Sequence, residues 1–358
     1  MKNYKRILSL VLTLAIISMM AACGAQPAEP QTPAPSTTPE TPSTPSEPAT
    51  PTEPAVTEPA EKTWTPTKPI TIIVSFAAGG GADVICRFLG SYLEQELGVK
   101  VVVQNVAGGG GSIGLQQLID SDPDGYTIAY ISASKTNNNL TLDGVTATID
   151  DYTPICKFAS DPHLVVTAKN GAKDFASLIE YVKANPGNVT FGIGGAWGSH
   201  EFLRIALEKE FDLEFKRMVY SSGNLAAGGV ATGDCYMSTP FYSEVSAQIE
   251  AGNVNCLAVT GTERLSALPD VPTVAEATGT DFSWYMWRGF VGPAGMDEAA
   301  VKTISDAVEK VCSNSYYVEK AQDMGVYTDF QNYEDFAVFF REDHEVYKEM
   351  IQSQDLTN

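Results

Sequence analysis

Two glycine-rich turns offer most of the chemistry in this sequence. The first is Ser75-Phe76-Ala77-Ala78-Gly79-Gly80-Gly81-Ala82-Asp83, after the apolar run 70–74. The second is Asn105-Val106-Ala107-Gly108-Gly109-Gly110-Gly111-Ser112-Ile113-Gly114, after the apolar run 99–103. Glycine has no Cβ, so its N–H can turn outward to a ligand at positive φ. A helix starting just beyond adds unpaired N–H groups and the positive end of its dipole. Two such turns on adjacent parallel strands would open into one crevice suited to an anion. Neither turn contains a lysine or arginine, so main-chain dipoles are expected to hold the charge.

The second turn also spells G-x-G-x-x-G at Gly109, Gly111 and Gly114. A dinucleotide site expects an acid at the end of the next strand to hold a ribose. That strand, 126–131, runs instead into Ser132-Ala133-Ser134, while Asp122 and Asp124 precede it. No G-x-x-x-x-G-K-[ST] occurs. A carboxylate-like anion fits the turns better than a nucleotide, and ligand-free tight turns are the bland alternative. Asp83 reads either as a contact to a bridging water or as a helix cap.

Evidence for catalysis is thin. Ser199 beside His200 invites a hydrolytic reading, but no G-x-S-x-G elbow surrounds the serine, and adjacent helical residues do not face each other. The other histidines, His163 and His344, have no metal-ligand spacing. No cofactor is expected. Trp284 and Trp287 read as packing residues.

The N-terminus sets the compartment. Lys2, Lys5 and Arg6 precede an apolar stretch, 7–20, too short for an ordinary spanning helix, and then Met20-Ala21-Ala22-Cys23. Small residues before a cysteine resemble a bacterial lipobox, implying cleavage after residue 22 and a lipid on Cys23; a plain signal peptide is the alternative. Residues 23–63 hold over half of the chain's 21 prolines and almost no large apolar side chain. Such a segment cannot bury a core and should act as an extended tether. The formal net charge of −21 argues against nucleic acid and anionic headgroups as partners. Without Cys23, five cysteines remain at irregular spacing; Cys235 and Cys256 either pair or stay as buried thiols.

The body, about 295 residues from position 64, is too long for one core and suits two lobes. Strands are expected at 70–76, 100–105 and 126–132, with helices at 83–97 and 112–119. Short apolar strands joined by helices imply an α/β fold with a parallel sheet. A second unit starts near 164, with strands at 164–168, 189–193, 216–220, 235–238 and 256–259. Its turn Gly194-Gly195-Ala196-Trp197-Gly198-Ser199-His200 repeats the strand, glycine turn, helix logic. Helices at 297–312 and 333–352 should return to the first lobe, with crossovers near 155–162 and 284–290.

Several motifs occur together in a specific order. They are Lys68-Pro69-Ile70-Thr71-Ile72-Ile73-Val74 leading into the first turn, Asn105 with the second turn, Asp124-Gly125-Tyr126-Thr127, and Gly198-Ser199-His200. Ala258-Val259-Thr260 with Arg264, Leu268-Pro269-Asp270-Val271-Pro272-Thr273-Val274-Ala275-Glu276, and Trp287 with Gly292-Pro293-Ala294-Gly295 complete the set. In combination, across 66–350, they resemble the solute-binding proteins of tripartite tricarboxylate transporters, the Bug-type receptors. The resemblance implies a two-lobed Venus-flytrap of type II periplasmic-binding-protein topology, with lobe 1 at 64–162 and 286–358 and lobe 2 at 163–285. It also implies a monomer that captures a small carboxylate and delivers it to membrane permease subunits; a sensory receptor for a membrane signalling partner is the alternative.

Carried over by position, the carboxylate contacts fall on Phe76, Ala78, Gly79, Gly80, Asp83, Gly110, Gly111 and Ser112. Ser132 and Ser134 would extend the site at the end of the third strand. Trp197, Ser199 and Tyr220 lie on second-lobe turns expected to face the cleft, with Thr239 beside them. The run Ser238-Thr239-Pro240-Phe241 departs from the family's usual Phe-Asp-Asn, which suggests a flatter or more apolar distal pocket.

Overall fold

The computed structural model describes residues 63–354. The expected signal peptide at 1–22, lipidated Cys23 and nearly all of the 23–63 tether lie outside them.

Two sheets organise the described chain. The first has six strands in the order β11-β4-β10-β3-β1-β2, and the second has five in the order β7-β6-β8-β5-β9. Strands β1 (Ile70–Val74), β2 (Val101–Asn105) and β3 (Thr127–Ser132) are mutually parallel, with Val74 opposite Asn105. Contrary to the parallel sheet expected, the first sheet is mixed. Strand β10 (Tyr285–Pro293) runs antiparallel to both β3 and β4 (Tyr152–Pro162), and β11 (Thr328–Gln331) runs antiparallel to β4. The reason is topological: β4 carries the chain out towards the second sheet and β10 brings it back, so the two must oppose.

The second sheet holds β5 (Leu164–Ala168), β6 (Val189–Gly194), β7 (Phe215–Tyr220), β8 (Met237–Ser238) and β9 (Val254–Val259). Strands β6, β7 and β8 are parallel, and β5 is antiparallel to β8 and β9. Alternation divides each sheet's apolar side chains between two faces. Ile70, Ile72 and Val74 join one core cluster while Ile73 joins another. In the second sheet Val165 and Val166 part in the same way.

The helices are α1 (Gly81–Leu97), α2 (Ser112–Ile119), the single turn α3 (Asn138–Thr141), α4 (Phe175–Ala184), α5 (Ser199–Phe211) and α6 (Gly223–Thr232). They continue with α7 (Tyr242–Glu250), α8 (Val274–Thr278), α9 (Glu298–Cys312), α10 (Ser315–Asp323) and α11 (Tyr333–Gln352). Helix α1 buries Ile85, Leu89 and Leu93 at helical spacing and stops at Gly98, whose φ of 69° lets its N–H close on the Glu94 carbonyl.

Where the chain passes between the sheets, hydrogen bonds staple the crossings together. Residue 163, between β4 and β5, donates its N–H to Thr260 Oγ1 at 2.9 Å. That hydroxyl donates to the Trp284 carbonyl at 2.7 Å, and Trp284 N–H returns to the Thr260 carbonyl at 2.8 Å. One threonine therefore ties the outgoing and returning strands. All five described cysteines are free, Cys235 and Cys256 included. Trp287 is core: its ring packs on Phe336 and Phe340, and its indole N–H donates to Asp343 at 2.6 Å.

Candidate functional site

The two glycine turns open side by side. Each follows one of two paired parallel strands, and the second is fastened to the first where Val106 N–H meets the Val74 carbonyl at 2.9 Å. Packing between them leaves no room for larger residues. A Cβ on Gly114 would stand 2.8 Å from the Val106 carbonyl oxygen and 3.1 Å from Ser75 Cα, and one on Gly111 would meet Ser75 Oγ at 3.2 Å. Positive φ angles at Gly79 (80°), Gly110 (62°) and Gly111 (101°) set the turn geometry. Gly80 and Gly111 stand at the N-cap positions of α1 and α2 and supply no side-chain cap, so side chains leave the first helical N–H groups open. Ser75, 3% exposed, follows β1 between the turns with its hydroxyl unpartnered.

Asp83 resolves to a structural clasp. One carboxylate oxygen accepts the Gly79 N–H at 2.8 Å; the other accepts Asn105 Nδ2 at 2.9 Å and pairs with Arg87 at 2.9 Å. Asn105 Nδ2 also reaches the Phe76 carbonyl at 3.3 Å. The first turn is thereby tied to its own helix and to the end of β2. Burial works to raise the Asp83 pKa, but the bonds from Arg87, Gly79 and Asn105 outweigh it and hold the carboxyl below its ordinary range. With both oxygens occupied, Asp83 shapes the turn.

Other expected residues separate into two groups. Ser132 and Ser134 are buried at the end of β3, and the 133–135 segment packs against α5, which starts at Ser199. Trp197 precedes that helix at φ 55°, an unfavourable conformation for a bulky side chain, with its ring 6.0 Å from Phe202. Phe202 in turn meets Tyr347 of α11 at 4.4 Å. Turns from both sheets therefore meet at one place.

Tyr220, Thr239 and Ser112 do not join them. The Tyr220 ring fills the space left by Gly192 and Gly229, between β6 and α6, while its carbonyl accepts the Gly195 N–H at 2.8 Å. Thr239, fully buried, lies beside the crossing strands, where its carbonyl accepts from His163 Nδ1 at 2.6 Å. The Ser112 hydroxyl folds back over Gly109, and the residue lines a separate surface recess of about 700 Å³ with Gln104, Gln116 and Thr146.

His200 pairs through Nε2 with Glu244 at 3.2 Å, an arrangement that fixes α5 to α7 and supplies no base to Ser199. His163 lies under the Phe241 ring, 4.1 Å between centroids. Burial, together with the neighbouring His200 ring, pulls its pKa down to about 3. Among the described residues no group of histidine, cysteine and carboxylate side chains could hold a metal ion, and no helix is long and apolar enough to cross a membrane.

Lys135 is the cation that the turn motifs concealed. It follows Ser134, is half-buried, and holds its ammonium 5.6 Å from the centroid of the Phe76 ring. Burial, with no carboxylate to offset it, keeps the ammonium below the ordinary lysine range. Its signal was its place in the sequence, just past a parallel strand whose end faces the same crevice as the turns.

The two-sheet fold with its paired glycine turns defines the class of protein, a solute-binding receptor of the periplasmic-binding-protein fold. The profile described as "Tripartite tricarboxylate transporter family receptor" matches residues 85–356, and the chain belongs to that family. Among curated relatives, the UPF0065 protein in the tcbD-tcbE intergenic region of Pseudomonas sp. (strain P51) is 29% identical over 289 residues, covering 80% of this chain and 86% of the relative. Protein BugT of Bordetella pertussis is 28% identical over 272 residues, covering 74% and 82%. A solved periplasmic transporter superposes with a TM-score of 0.71 at 26% identity, covering 81% of this chain and 98% of the other. R. palustris Rpa4515 with adipate gives 0.71 at 21% identity, covering 80% and 97%. MatC from Rhodopseudomonas palustris with bound malate gives 0.68 at 21%, covering 80% and 99%.

Proposed function

We propose that the protein captures a small carboxylate between its two sheets and delivers it to the membrane permease subunits of a tripartite tricarboxylate transporter. The observation that carries this reading is the pair of glycine turns at the ends of β1 and β2. Their helices start without side-chain caps, and the buried Ser75 hydroxyl between them lacks a partner. The Gly79 and Gly111 N–H groups are already bonded within their turns, so main-chain donors from Gly110 and the first turn of α1 would hold one carboxylate, with Ser132, Ser134 and Ser199 closing over it. The malate- and adipate-bound neighbours support an organic acid of four to six carbons. Lobe 1 would comprise 64–162 and 286–358, and lobe 2 163–285, moving about the stapled crossings. Closure removes water and lowers the dielectric around the donors, which strengthens each bond to the ligand. Lipid on Cys23 and the proline-rich tether would keep the receptor at the membrane.

Isothermal titration against di- and tricarboxylates, aromatic carboxylates and amino acids tests the reading. Binding of at least one carboxylate, with a matching rise in melting temperature, is expected. A panel in which no carboxylate binds overturns it.

A further inference from the structure

The charges around the candidate cleft do not balance, and the imbalance points to the ligand. Three cations lie near the ends of β1, β3 and β10. Arg87 pairs with Asp83 at 2.9 Å, and Arg288 with the buried Asp161. Lys135 faces only the Phe76 ring, and its one attractive contact is with the negative face of that aromatic. An ammonium withdrawn from water without a counter-ion is unfavourable in the empty protein, so an anion arriving beside it recovers the lost solvation.

The position is specific. Phe76 is part of the first glycine turn, and its main chain is held by Asn105. The 133–135 segment that carries Lys135 also touches α5 of the second sheet. Lys135 is therefore fixed between the main-chain cradle and the lobe that closes on it. Each helix N-terminus supplies about half a positive charge. Helices α1 and α2 together balance about one carboxylate, and the ammonium leaves room for a second negative group.

We propose that Lys135 is the counter-ion for a second anionic group on the ligand and makes the receptor selective for dicarboxylates over monocarboxylates. This rests on the carboxylate-receptor reading above and adds a side chain to a site otherwise built from main chain. Lys135→Met keeps an unbranched side chain of similar reach and removes the charge. Lys135→Arg keeps the charge.

The experiment is titration of succinate, adipate and monomethyl succinate into the purified receptor and its Met and Arg variants, with a thermal melt of each to confirm folding. The expected result is a loss of about 30-fold or more in dicarboxylate affinity in the Met variant, the scale of removing one member of a desolvated charge pair. Monomethyl succinate should bind the wild type and the Met variant equally, and the Arg variant should retain most of the dicarboxylate affinity. Dicarboxylate affinities within twofold between wild type and Lys135→Met overturn the inference and leave the receptor reading standing. Failure of the wild type to bind any carboxylate in the wider panel overturns both.

Discussion

Removing the Asp83 carboxylate should loosen the first glycine turn, and the cost can be worked from its contacts. Asp83→Ala leaves Gly79 N–H without its 2.8 Å acceptor and Asn105 Nδ2 without one of two. An unsatisfied buried donor costs about 1–3 kcal/mol. The ion pair adds little, since Arg87 is 51% exposed and turns to water, and such pairs contribute about 0–1 kcal/mol. A carboxylate in the first turn of α1 contributes roughly 0.3–1 kcal/mol through the helix dipole. The sum is about 1–5 kcal/mol, a fall of roughly 2–8 °C in melting temperature for a body this size. Because the folded-state pKa is depressed, this stability is present above the unfolded value of 3.8 and lost as pH falls through the folded one. The gap between wild type and variant should therefore be full at pH 7 and close below about pH 4. Melting curves at several pH values, with a succinate titration at pH 7, check the argument; affinity should fall about tenfold as the turn loses its anchor. A variant that melts within 1 °C of wild type at pH 7 and keeps its affinity would show that the clasp is not what holds the turn.

Other outcomes follow from the same geometry. Gly194→Ala places a Cβ 2.3 Å from Gly223 N and 2.6 Å from its Cα, so β6 and α6 must separate; a loss of about 3 kcal/mol in a denaturant melt is expected, and a change under 0.5 kcal/mol would refute it. His163→Asn keeps a donor for the Thr239 carbonyl but cannot protonate. Burial lowers the folded-state His163 pKa to about 3, so below pH 6.5 the unfolded state takes up the proton first and wild-type stability declines by about 1.4 kcal/mol per pH unit from this group. The Asn variant should show a flatter profile between pH 6.5 and 4, and parallel profiles would contradict the assignment. Trp197→Gly releases the strain of φ 55° and removes the ring, so competition titrations should show relative preference among short and long dicarboxylates shifting more than the best affinity falls.

Much of the fold was legible because short apolar strands and capped helices state their own boundaries. Helix α2 and strand β5 have the bounds their patterns predict, and α4 ends at Ala184, where Asn185-Pro186-Gly187 cannot continue a helix. Helix α6 was hidden by its composition: Gly-Asn-Leu-Ala-Ala-Gly-Gly-Val-Ala-Thr has weak helix propensity, and close packing against β6 and β5, which needs those small residues, overrides it. The antiparallel course of β10 depends on where the chain returns from the second sheet, which periodicity does not record. At the site, the glycines identified the turns but not the neighbours behind them. Asp83 looked like a possible ligand contact until Gly79, Asn105 and Arg87 converged on it. Tyr220 ends β7 as expected, and Gly192 and Gly229 make a slot for its ring between β6 and α6. Lys135 is far from Phe76 in sequence, and only the direct pairing of β1 with β3 brings the ends of those strands together.

The central claim is that main-chain groups of the two turns hold the carboxylate, and Gly79→Val and Gly110→Val test it most directly. Gly79 has open space around its missing Cβ, so valine there adds mainly the strain of φ 80°, about 1–2 kcal/mol, while blocking the approach to the N–H groups. At Gly110 valine would also press on Leu142. Calorimetric titration with the best carboxylate from the panel should give no measurable binding for either variant while each still unfolds cooperatively. Full wild-type affinity in both variants would remove the glycine turns from the site.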